Sequence, residues 1–494
     1  MRSSTAKVLH PIGGLSLLGH VLVTARELEP RRLVTVVRHQ GEQVAEHATD
    51  LHPDVLVAEQ DEIPGTGRAV QCALDALDRG DGPALAGTVV VLLGDVPLLQ
   101  ASTIEQVLDA HHSQHRAVTV LTTHVPDATG YGRIVRDDNG EVTGIVEHAD
   151  ASDVQRTITE INSGVFAFDA AVLRTALAEV GAGNEQGEVY LTDVLAHARE
   201  AGHRVGALVT DDAVQVEGVN DRVQLAAIGA ELNARVLREW MRSGITVVDP
   251  ASTWVDVGVE LEQDVTLLPG TQLHGRSRVG SGAIIGPDTT LADVQVGPGA
   301  RVIRSHGERA RIEAGASVGP FAYLRAGTLL GQNGKIGTFV ETKNAQIGAG
   351  SKVPHLSYIG DATIGRETNI GAASVTVNYD GVNKERTVVG DHARTGADNM
   401  FVAPVSVGDG AYTGAGTVVR RDVPPGALGV SGGSQRNIEN WVLDRRPDTA
   451  AARAAQAAIA AQEAHEAGQA QGEAPAAQQV KRDGQQVEQR GEER

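Results

Sequence analysis

Asp95, Lys7 and His355 have side chains and sequence contexts that are typical of reactive or ligand-binding sites. Asp95 follows the apolar run 89–93, and ligands of open α/β sheets bind beyond the carboxyl ends of such strands. Its carboxylate could hold a hard cation such as the Mg²⁺ that accompanies nucleotides, or it could cap a helix or a turn. Lys7 could neutralise a phosphate or simply be solvated. His355 could take a proton from an amine near neutral pH, or it could lie at a structural corner.

Two further groups have the composition of binding sites. Gly65-Thr66-Gly67 opens the helix after the run 55–57, so its backbone N–H groups could bind a polar ligand or merely form a tight turn. Arg325 and Lys343 could pair with a sugar phosphate. The segment Asn378-Tyr379-Asp380-Gly381 interrupts a regular repeat, as a binding loop on a rigid scaffold does.

The first 222 residues alternate short apolar runs with helical patterns. Residues 33–37 and 89–93 are continuous apolar runs, which predict buried strands. Helical periodicity is present at 69–77, 103–111 and 170–179. This alternation predicts an α/β domain with a mostly parallel, Rossmann-like sheet. Residues 223–243 predict a helix that connects this domain to the next.

From about residue 250 the apolar period changes to six. Apolar or small β-branched residues recur at this step, often followed by glycine: Val279, Ile285 and Leu291; Ile312, Val318, Leu324, Leu330 and Ile336; Ile347, Val353 and Ile359; and Val389, Thr395, Phe401, Val407, Thr413 and Val419. A hexapeptide repeat predicts triangular coils of a parallel β-helix, with the aliphatic residue pointing inward. Such a column needs little aromatic bulk, and aromatic residues make up only 3% of the chain.

Composition excludes several classes of protein. The chain has 43 basic and 63 acidic residues, a net charge of −20, which argues against nucleic-acid binding. Cys72 is the only cysteine, so no disulfide framework is expected and a reducing, cytoplasmic compartment fits. No apolar run approaches the roughly 20 residues of a membrane span, and residues 15–23 predict an amphipathic helix rather than a signal peptide. Residues 450–494, with 15 Ala and 9 Gln, predict a disordered tail or a fraying helix.

Seven short motifs occur in an order that resembles a known enzyme family. They are Lys7-Val8-Leu9-His10, Gln60 with Gly65-Thr66-Gly67, Gly94-Asp95-Val96-Pro97, Gly130-Tyr131-Gly132-Arg133, Val146-Glu147-His148, Glu160-Ile161-Asn162-Ser163-Gly164 and Glu217-Gly218-Val219-Asn220. Their order is similar to that in the nucleotidyltransferase half of the bacterial bifunctional N-acetylglucosamine-1-phosphate uridyltransferase/glucosamine-1-phosphate N-acetyltransferases. The repeat region resembles the second half of the same family, and the resemblance extends to about residue 445.

The resemblance implies a role for each of these motifs in the first half. The implied ligands of Mg²⁺ are Asp95 and Asn220. The residues implied to bind the other parts of the substrates are Lys7 for phosphate, Gln60, Gly65 and Thr66 for uracil, Gly94 for the nucleotide, and Gly132, Glu147 and Asn162 for N-acetylglucosamine. The implied reaction is an in-line attack of N-acetylglucosamine 1-phosphate on the α-phosphorus of UTP, with release of pyrophosphate.

For the second half, the resemblance implies that His355 is the general base of acetyl transfer from acetyl-coenzyme A. The residues implied to bind substrates are Arg325, Lys343, Tyr358 and Asn369 for glucosamine 1-phosphate, and Ala372, Asn378, Tyr379, Ala397 and Ala415 for acetyl-coenzyme A. The implied fold is a left-handed β-helix that forms homotrimers with the cleft between subunits. Two positions depart from the family pattern, because Ala397 replaces a common serine and Gly432 stands where an arginine often meets the coenzyme phosphates.

The family pattern also has a strand and a Gly-rich loop before Lys7, and that loop forms a phosphate cradle. Met1 stands at the methionine of this loop. We therefore expect either that the true start lies upstream or that the uridylyltransferase half is inactive as written.

These observations predict four regions: a uridylyltransferase domain at 1–222, a linker helix at 223–243, an acetyltransferase domain at 244–449 and the tail at 450–494. The leading interpretation is a bifunctional enzyme that makes UDP-N-acetylglucosamine, a cell-wall precursor, from small-molecule substrates. Two alternatives remain, an acetyltransferase with an inactive first half and a non-catalytic trimeric scaffold that binds nucleotide sugars.

Overall fold

Residues up to Arg242 fold as a sheet covered by helices. The computed structural model describes residues 1–79, 85–181, 183–433, 435 and 437–472, and the chain divides into two units, Met1–Ser431 and Gly432–Arg494. The strands of the first region are β1 (Pro11–Ile12), β2 (Leu15–Ser16), β3 (Val34–Val37), β4 (Leu56–Glu59), β5 (Thr88–Val91), β6 (Val118–His124), β7 (Arg133–Arg136), β8 (Val142–Val146), β9 (Glu160–Asp169) and β10 (Val205–Val209). Its helices are α1 (Leu17–Glu27), α2 (Gly41–Leu51), α3 (Thr66–Leu77), α4 (Ala101–Ser113), α5 (Asp153–Arg156), α6 (Ala170–Glu179), α7 (Asp193–Glu200) and α8 (Arg222–Arg242).

Strand β9 organises the six-stranded sheet. It runs antiparallel to β5, β6 and β7, whereas β6 and β10 run parallel to each other. Consequently β5, β6, β7 and β10 all point in one direction, and the predicted α/β fold is confirmed. β3 and β4 form a separate parallel pair. Within the described part of the chain β3 pairs only with β4 and β5 only with β9, so each keeps one edge without a strand partner.

The predicted helices are present, two of them with longer bounds. α6 covers residues 170–179 as predicted, whereas α3 and α4 begin at Thr66 and Ala101. Strand β5 ends at Val91 rather than at residue 93, because its register with β9 ends at the pair Val91–Phe166. Asp95 therefore follows the strand after a short turn and not directly.

The second region is a left-handed parallel β-helix, as predicted. Its strands are β11 (Thr246–Val247), β12 (Trp254–Val255), β13 (Glu260–Leu261), β14 (Thr266–Leu267), β15 (Gln272–His274), β16 (Arg278–Val279), β17 (Ile284–Ile285), β18 (Thr290–Ala292), β19 (Gln295–Val296), β20 (Arg301–Val302), β21 (His306–Glu308), β22 (Arg311–Ile312), β23 (Ser317–Val318), β24 (Tyr323–Leu324), β25 (Leu329–Leu330), β26 (Lys335–Thr338), β27 (Glu341–Ile347), β28 (Lys352–His355), β29 (Tyr358–Ile364), β30 (Val375–Val377), β31 (Thr387–Val389), β32 (Met400–Val402), β33 (Val405–Val407), β34 (Tyr412–Thr413), β35 (Val418–Val419) and β36 (Leu428–Gly429).

All the hexad residues predicted to point inward are buried, with exposed fractions of 7% or less. They form one apolar column that runs from Leu237 of α8 to Val423. Each strand pairs in parallel with the equivalent strand of the next coil, which places, for example, Val279 beside Val296 and Leu324 beside Thr342. Between Ile364 and Val389 the step is longer, because the loop that begins at Asn378 leaves the coil there.

Buried serine hydroxyls close several coils. Ser277 Oγ donates to the His274 carbonyl (2.8 Å) and accepts the Val294 amide of the next coil (3.1 Å). Ser351 and Ser357 accept amides of the next coil in the same way. Each hydroxyl therefore satisfies a backbone N–H that would otherwise be buried without a partner. The hexad pattern did not predict these polar positions.

The second unit contains α9 (Trp441–Arg445) and α10 (Ala450–Gly472). Residues 450–472 of the Ala- and Gln-rich tail are thus helical, which was one of the two outcomes expected from its composition, and the rest of the tail lies outside the described residues. Among the residues that the structure describes, none of the helices has both the length and the apolar character needed to cross a bilayer.

Candidate functional site

Lys7, Asp95 and Asn220 meet at one point of the first region. Lys7 Nζ donates to Asp95 Oδ2 (2.5 Å) and to Asn220 Oδ1 (3.0 Å). Lys7 begins a 3₁₀ turn, Asp95 lies in the turn after β5, and Asn220 lies just before α8. The Val219 amide donates to the Asp95 carbonyl (3.0 Å), which links the last two segments. Three residues that are far apart in the sequence are thereby brought into one cluster.

Asp95 and Asn220 are also the pair predicted to hold Mg²⁺. Carboxylate and amide oxygens are hard donors, and Mg²⁺ commonly takes one or two of them together with water and substrate phosphates. Both oxygens lie within hydrogen-bonding distance of the same ammonium group, so both can face a single cation. The donor set therefore fits Mg²⁺ that is shared with a nucleotide. A larger set of three or more His, Cys, Asp or Glu ligands is absent from the described residues.

The predicted uracil-binding residues lie together where α3 begins. Gln60 Nε2 donates to the Gly65 carbonyl (3.1 Å), and Thr66 Oγ1 accepts the Leu191 amide (3.2 Å). Gly65 has a φ of 118°, and a Cβ there would overlap the Val189 carbonyl, so only glycine fits. The loop is thus held in one conformation between α3 and the segment that precedes α7.

Gly132, Glu147, Asn162 and Thr192 lie together in one cluster of contacts. The Asn162 amide donates to the Gly132 carbonyl (2.9 Å), and Thr192 Oγ1 donates to Glu147 Oε1 (3.1 Å). A Cβ on Gly132 would lie 3.3 Å from Glu147 Oε2, so the glycine leaves that carboxylate uncrowded. Burial raises the pKa of Glu147, and the hydrogen bond from Thr192 offsets part of this effect. A partly buried carboxylate of this kind is a strong acceptor for a sugar hydroxyl.

Two tyrosines that the sequence analysis did not assign border this cluster. Tyr190 is 7% exposed, and its Oη has no hydrogen-bond partner among the described residues. Burial, with a contribution from Asp150 and Glu147, raises the pKa of Tyr190 to about 12. Burial, with a contribution from Glu217 and Asp95, raises the pKa of Tyr131. The sequence separation of either tyrosine from Glu147 does not indicate that they are close in space, so the sequence alone could not identify them.

The pKa of Glu147 leads to a prediction about stability and binding. Because the folded state raises this pKa, the ionised carboxylate costs stability once the pH rises above about 4.3, its unfolded value. Glu147→Gln removes that cost, so its melting temperature should match the parent at pH 4 and exceed it by about 1–3 °C at pH 8. Binding of UDP-N-acetylglucosamine should weaken about tenfold, because a charged acceptor is lost.

Calorimetry of melting and of ligand binding checks both effects. Glu141→Gln is the matched control, because Glu141 is an exposed residue between β7 and β8 and should change neither quantity. A variant at Glu147 that melts lower than the parent at pH 8 and binds the ligand normally contradicts the prediction.

Arg325, Lys343 and Lys384 form a cationic corner of the β-helix. The Arg325 Nη1 donates to Glu341 Oε1 (3.0 Å). The Lys384 ammonium beside Lys343 lowers the pKa of Lys343, because two like charges face each other. The repulsion between the two ammonium groups is relieved when an anion binds between them. Two adjacent cations of this kind are typical of a phosphate-binding site.

Asp361 fixes the loop that carries Asn378 and Tyr379. Asn378 Nδ2 donates to Asp361 Oδ2 (2.5 Å), and Asn344 Nδ2 donates to Asp361 Oδ1 (2.7 Å). Tyr379 is 56% exposed, and its Oη donates to the Gly381 carbonyl (2.6 Å). The loop is therefore anchored at its base and open to solvent at Tyr379. Asp361 has a φ of 47° at a coil corner, and the hexad pattern gave no indication of its role.

Ala372, Ala397 and Ala415 stack on three consecutive coils. The Asp398 amide donates to the Ala372 carbonyl (2.7 Å), and the Gly416 amide donates to the Ala397 carbonyl (2.8 Å). Ala397 and Ala415 are exposed. The three residues predicted to bind acetyl-coenzyme A thus form a ladder of small side chains on successive coils.

His355 lies at a different corner from the cationic residues. It is the exposed last residue of β28 and pairs in register with Thr338. The Ala373 amide donates to the His355 carbonyl (3.2 Å), so His355 adjoins the alanine ladder. The described contacts join His355 to neither Arg325 nor Lys343, which lie beyond the next strand face.

Tyr358 and Asn369 lie on different faces of the coil. The phenol of Tyr358 covers the backbone of Gly360, which pairs in register with Lys343. Asn369 instead bridges the Lys352 strand and the next coil. Tyr358 therefore belongs with the cationic corner, whereas Asn369 belongs to the β28 face that carries His355.

Both regions of the chain are similar to known proteins. Residues 2–260 match the nucleotidyl transferase family. The chain is 61% identical over 458 residues to the bifunctional protein GlmU of Kineococcus radiotolerans, which covers 93% of this chain and 92% of that protein. It is 59% identical to the bifunctional GlmU proteins of Paenarthrobacter aurescens, over 458 residues, and Rhodococcus jostii, over 465 residues, with the same shares covered. Since this identity extends over both regions, the chain belongs to the family of bifunctional GlmU proteins.

Proposed function

We propose that this chain makes UDP-N-acetylglucosamine in two steps at two sites. The β-helix acetylates glucosamine 1-phosphate with acetyl-coenzyme A, and the α/β region then transfers the uridylyl group of UTP to the product with release of pyrophosphate. The observation that carries the proposal is the separation of two different chemistries on one chain. In the α/β region, the side-chain oxygens of Asp95 and Asn220 both face the Lys7 ammonium group. The β-helix instead carries an exposed histidine, the cationic corner and the alanine ladder.

In the uridylyl transfer site, Asp95 and Asn220 would hold Mg²⁺, which would neutralise phosphate charge and help to orient the triphosphate. Lys7, which donates to both oxygens, would bind a substrate phosphate beside them. Gln60 and Thr66 fix the loop that contacts the uracil, and Glu147 accepts a sugar hydroxyl. These residues bind and orient both substrates, and the electrostatic contribution falls on Lys7 and the metal ligands.

In the acetyl transfer site, His355 removes a proton from the amine of glucosamine 1-phosphate as the amine attacks the thioester carbonyl. Arg325, Lys343 and Lys384 hold the sugar phosphate. The nitrogen–carbon bond forms, the carbon–sulfur bond breaks, and coenzyme A leaves as the thiol. Asn378, held by Asp361, and the alanine ladder, with Ala397 and Ala415 exposed, bind acetyl-coenzyme A.

A homotrimer accounts for the position of His355. Within one chain His355 and the cationic corner lie at opposite ends of a strand face, so a second copy can bring its own corner to His355. An apolar ladder beside His355 supports this arrangement, because Phe321, Phe339 and Leu356 are 52%, 59% and 60% exposed. The two phenyl rings stack with centroids 5.4 Å apart. Exposed apolar ladders of this kind mark contact surfaces.

A deletion experiment tests the division of labour. The fragment from residue 222 onward keeps α8, whose Leu237 is 1% exposed and packs on the first coils. We expect it to form trimers by sedimentation and to acetylate glucosamine 1-phosphate at the rate of the full chain, with no uridylyl transfer. The fragment from residue 244 lacks Leu237 and should melt at a lower temperature. A monomeric or inactive fragment from residue 222 contradicts the proposed assignment of acetyl transfer to the β-helix.

A further inference from the structure

The hairpin of β1 and β2 extends from the Lys7 cluster to the first coil of the β-helix. Its tip, Gly13-Gly14, contacts that coil directly, because the Val257 amide donates to the Gly13 carbonyl (2.9 Å). Gly14 has a φ of 88°, and a Cβ there would lie 2.8 Å from Asp256 Oδ2. The tip therefore packs against the Asp256 carboxylate with no space for a side chain.

The carboxylate of Asp256 is held firmly from the opposite side. Its Oδ2 accepts the Gly275 amide of the next coil (2.9 Å) and lies 3.4 Å from His274 Nδ1. The Asp256 side chain is only 15% exposed, and it raises the pKa of His274. These contacts hold the Asp256 carboxylate in one position, where it contacts the tip of the hairpin.

The other end of the hairpin determines where Lys7 lies. Lys7 begins the 3₁₀ turn that leads into β1. The Leu17 amide donates to the His10 carbonyl (3.0 Å), and the His20 ring donates from Nε2 to the Ile12 carbonyl (2.9 Å). These hydrogen bonds stiffen the short segment between Lys7 and the tip, so a displacement of the tip reaches Lys7.

We propose that Asp256 is a positioning residue for Lys7 and acts through the Gly13-Gly14 tip. The proposal rests on the proposed function only in that Lys7 serves uridylyl transfer. It makes the dependence between the two regions one-sided: the uridylyl site needs the first coil of the β-helix, whereas the acetyl site does not need the hairpin.

The position of Lys7 is measured directly by NMR of the full chain after reductive methylation with ¹³C-formaldehyde. Lys7 is the only lysine before residue 335, so its dimethyl resonance can be assigned with Lys7→Arg. We expect Asp256→Ala and Gly14→Ala each to move this resonance, and Asp256→Asn, which can still accept the Gly275 amide, to leave it nearly unchanged. Glu262→Ala is the matched control, because Glu262 also accepts an amide nineteen residues later (2.8 Å, from Ser281) but contacts no hairpin.

A kinetic cycle provides the second readout. Asp256→Ala should lower uridylyl turnover about 3- to 10-fold in the parent and should have no further effect in a Lys7→Ala background, because residues that act through one group are not additive. Acetyl turnover should stay unchanged throughout. The proposal is overturned if Lys7 does not move in Asp256→Ala and Gly14→Ala, if Glu262→Ala moves it equally, or if the kinetic losses add. If uridylyl transfer itself proves absent, the proposed function fails, and the NMR result alone decides this inference.

Discussion

Replacement of His355 by alanine is expected to lower acetyl turnover about 10²–10⁴-fold, because general-base help typically contributes that much. The amine must lose a proton as it attacks the thioester, and His355 is the exposed residue beside the alanine ladder that can accept it at neutral pH. The Michaelis constant for glucosamine 1-phosphate should change little, because Arg325, Lys343 and Lys384 would carry the phosphate contacts.

Turnover per folded chain is the quantity to measure, since a purely structural histidine would lower stability instead. His306→Ala is the matched control, because His306 is 46% exposed in its side chain and lies on an earlier coil of the same β-helix. A loss smaller than about threefold for His355→Ala would mean that the base is elsewhere or that the amine arrives already deprotonated.

Replacement of Asp95 by asparagine is expected to lower uridylyl turnover about 10²–10³-fold, the usual cost of losing one electrostatic stabiliser. The change keeps the shape of the side chain but removes the charge that faces Asn220 and Lys7. The concentration of Mg²⁺ needed for half-maximal activity should rise as well, because both side chains of the site are then neutral amides and no carboxylate remains to bind the cation.

Titration of activity with Mg²⁺ separates a lost ligand from a damaged fold. Asp54→Asn is the matched control, because Asp54 forms an exposed ion pair with Arg26 and lies far from the cluster in sequence. Asp95→Asn with unchanged Mg²⁺ dependence and nearly normal turnover would remove Asp95 from the metal site.

The β-helix could be predicted almost completely from sequence, because an inward residue at every sixth position leaves a visible period. Phe401 and Thr413, which are unusual inward residues, are buried because they keep the hexad step. The corner hydroxyls of Ser277 and Ser351 were not predictable in the same way. These hydroxyls accept hydrogen bonds from backbone amides of the next coil, and those amides can be identified only when the register of the coils is known.

The α/β region was predictable in type but not in topology. The apolar run that forms β9 has no signal of direction, so its antiparallel insertion between β5 and β6 required the structure. The site shows the same limit. Lys7 and Asp95 were singled out by residue type and context and Asn220 only by resemblance, and the structure brings the three together. Thr192 was missed because it approaches Glu147 only through the packing of α7 against β8.

The composition of the cationic corner could be predicted only in part from the hexapeptide repeat. Arg325 directly follows β24 and Lys343 lies on β27, so both belong to the regular coil. Lys384 joins them only because the loop that Asp361 anchors returns to that corner. A charge that arrives through a loop has no fixed spacing to the hexads, so sequence alone could not place it there.

The most direct test of two separate sites on one chain is a complementation assay. Glucosamine 1-phosphate, acetyl-coenzyme A, UTP and Mg²⁺ are incubated with His355→Ala, with Asp95→Asn and with an equal mixture of the two variants, and UDP-N-acetylglucosamine is quantified by chromatography. We predict little product from either variant alone, accumulation of N-acetylglucosamine 1-phosphate with Asp95→Asn, and restored formation of UDP-N-acetylglucosamine in the mixture. A mixture that forms no more product than the separate variants would contradict the account.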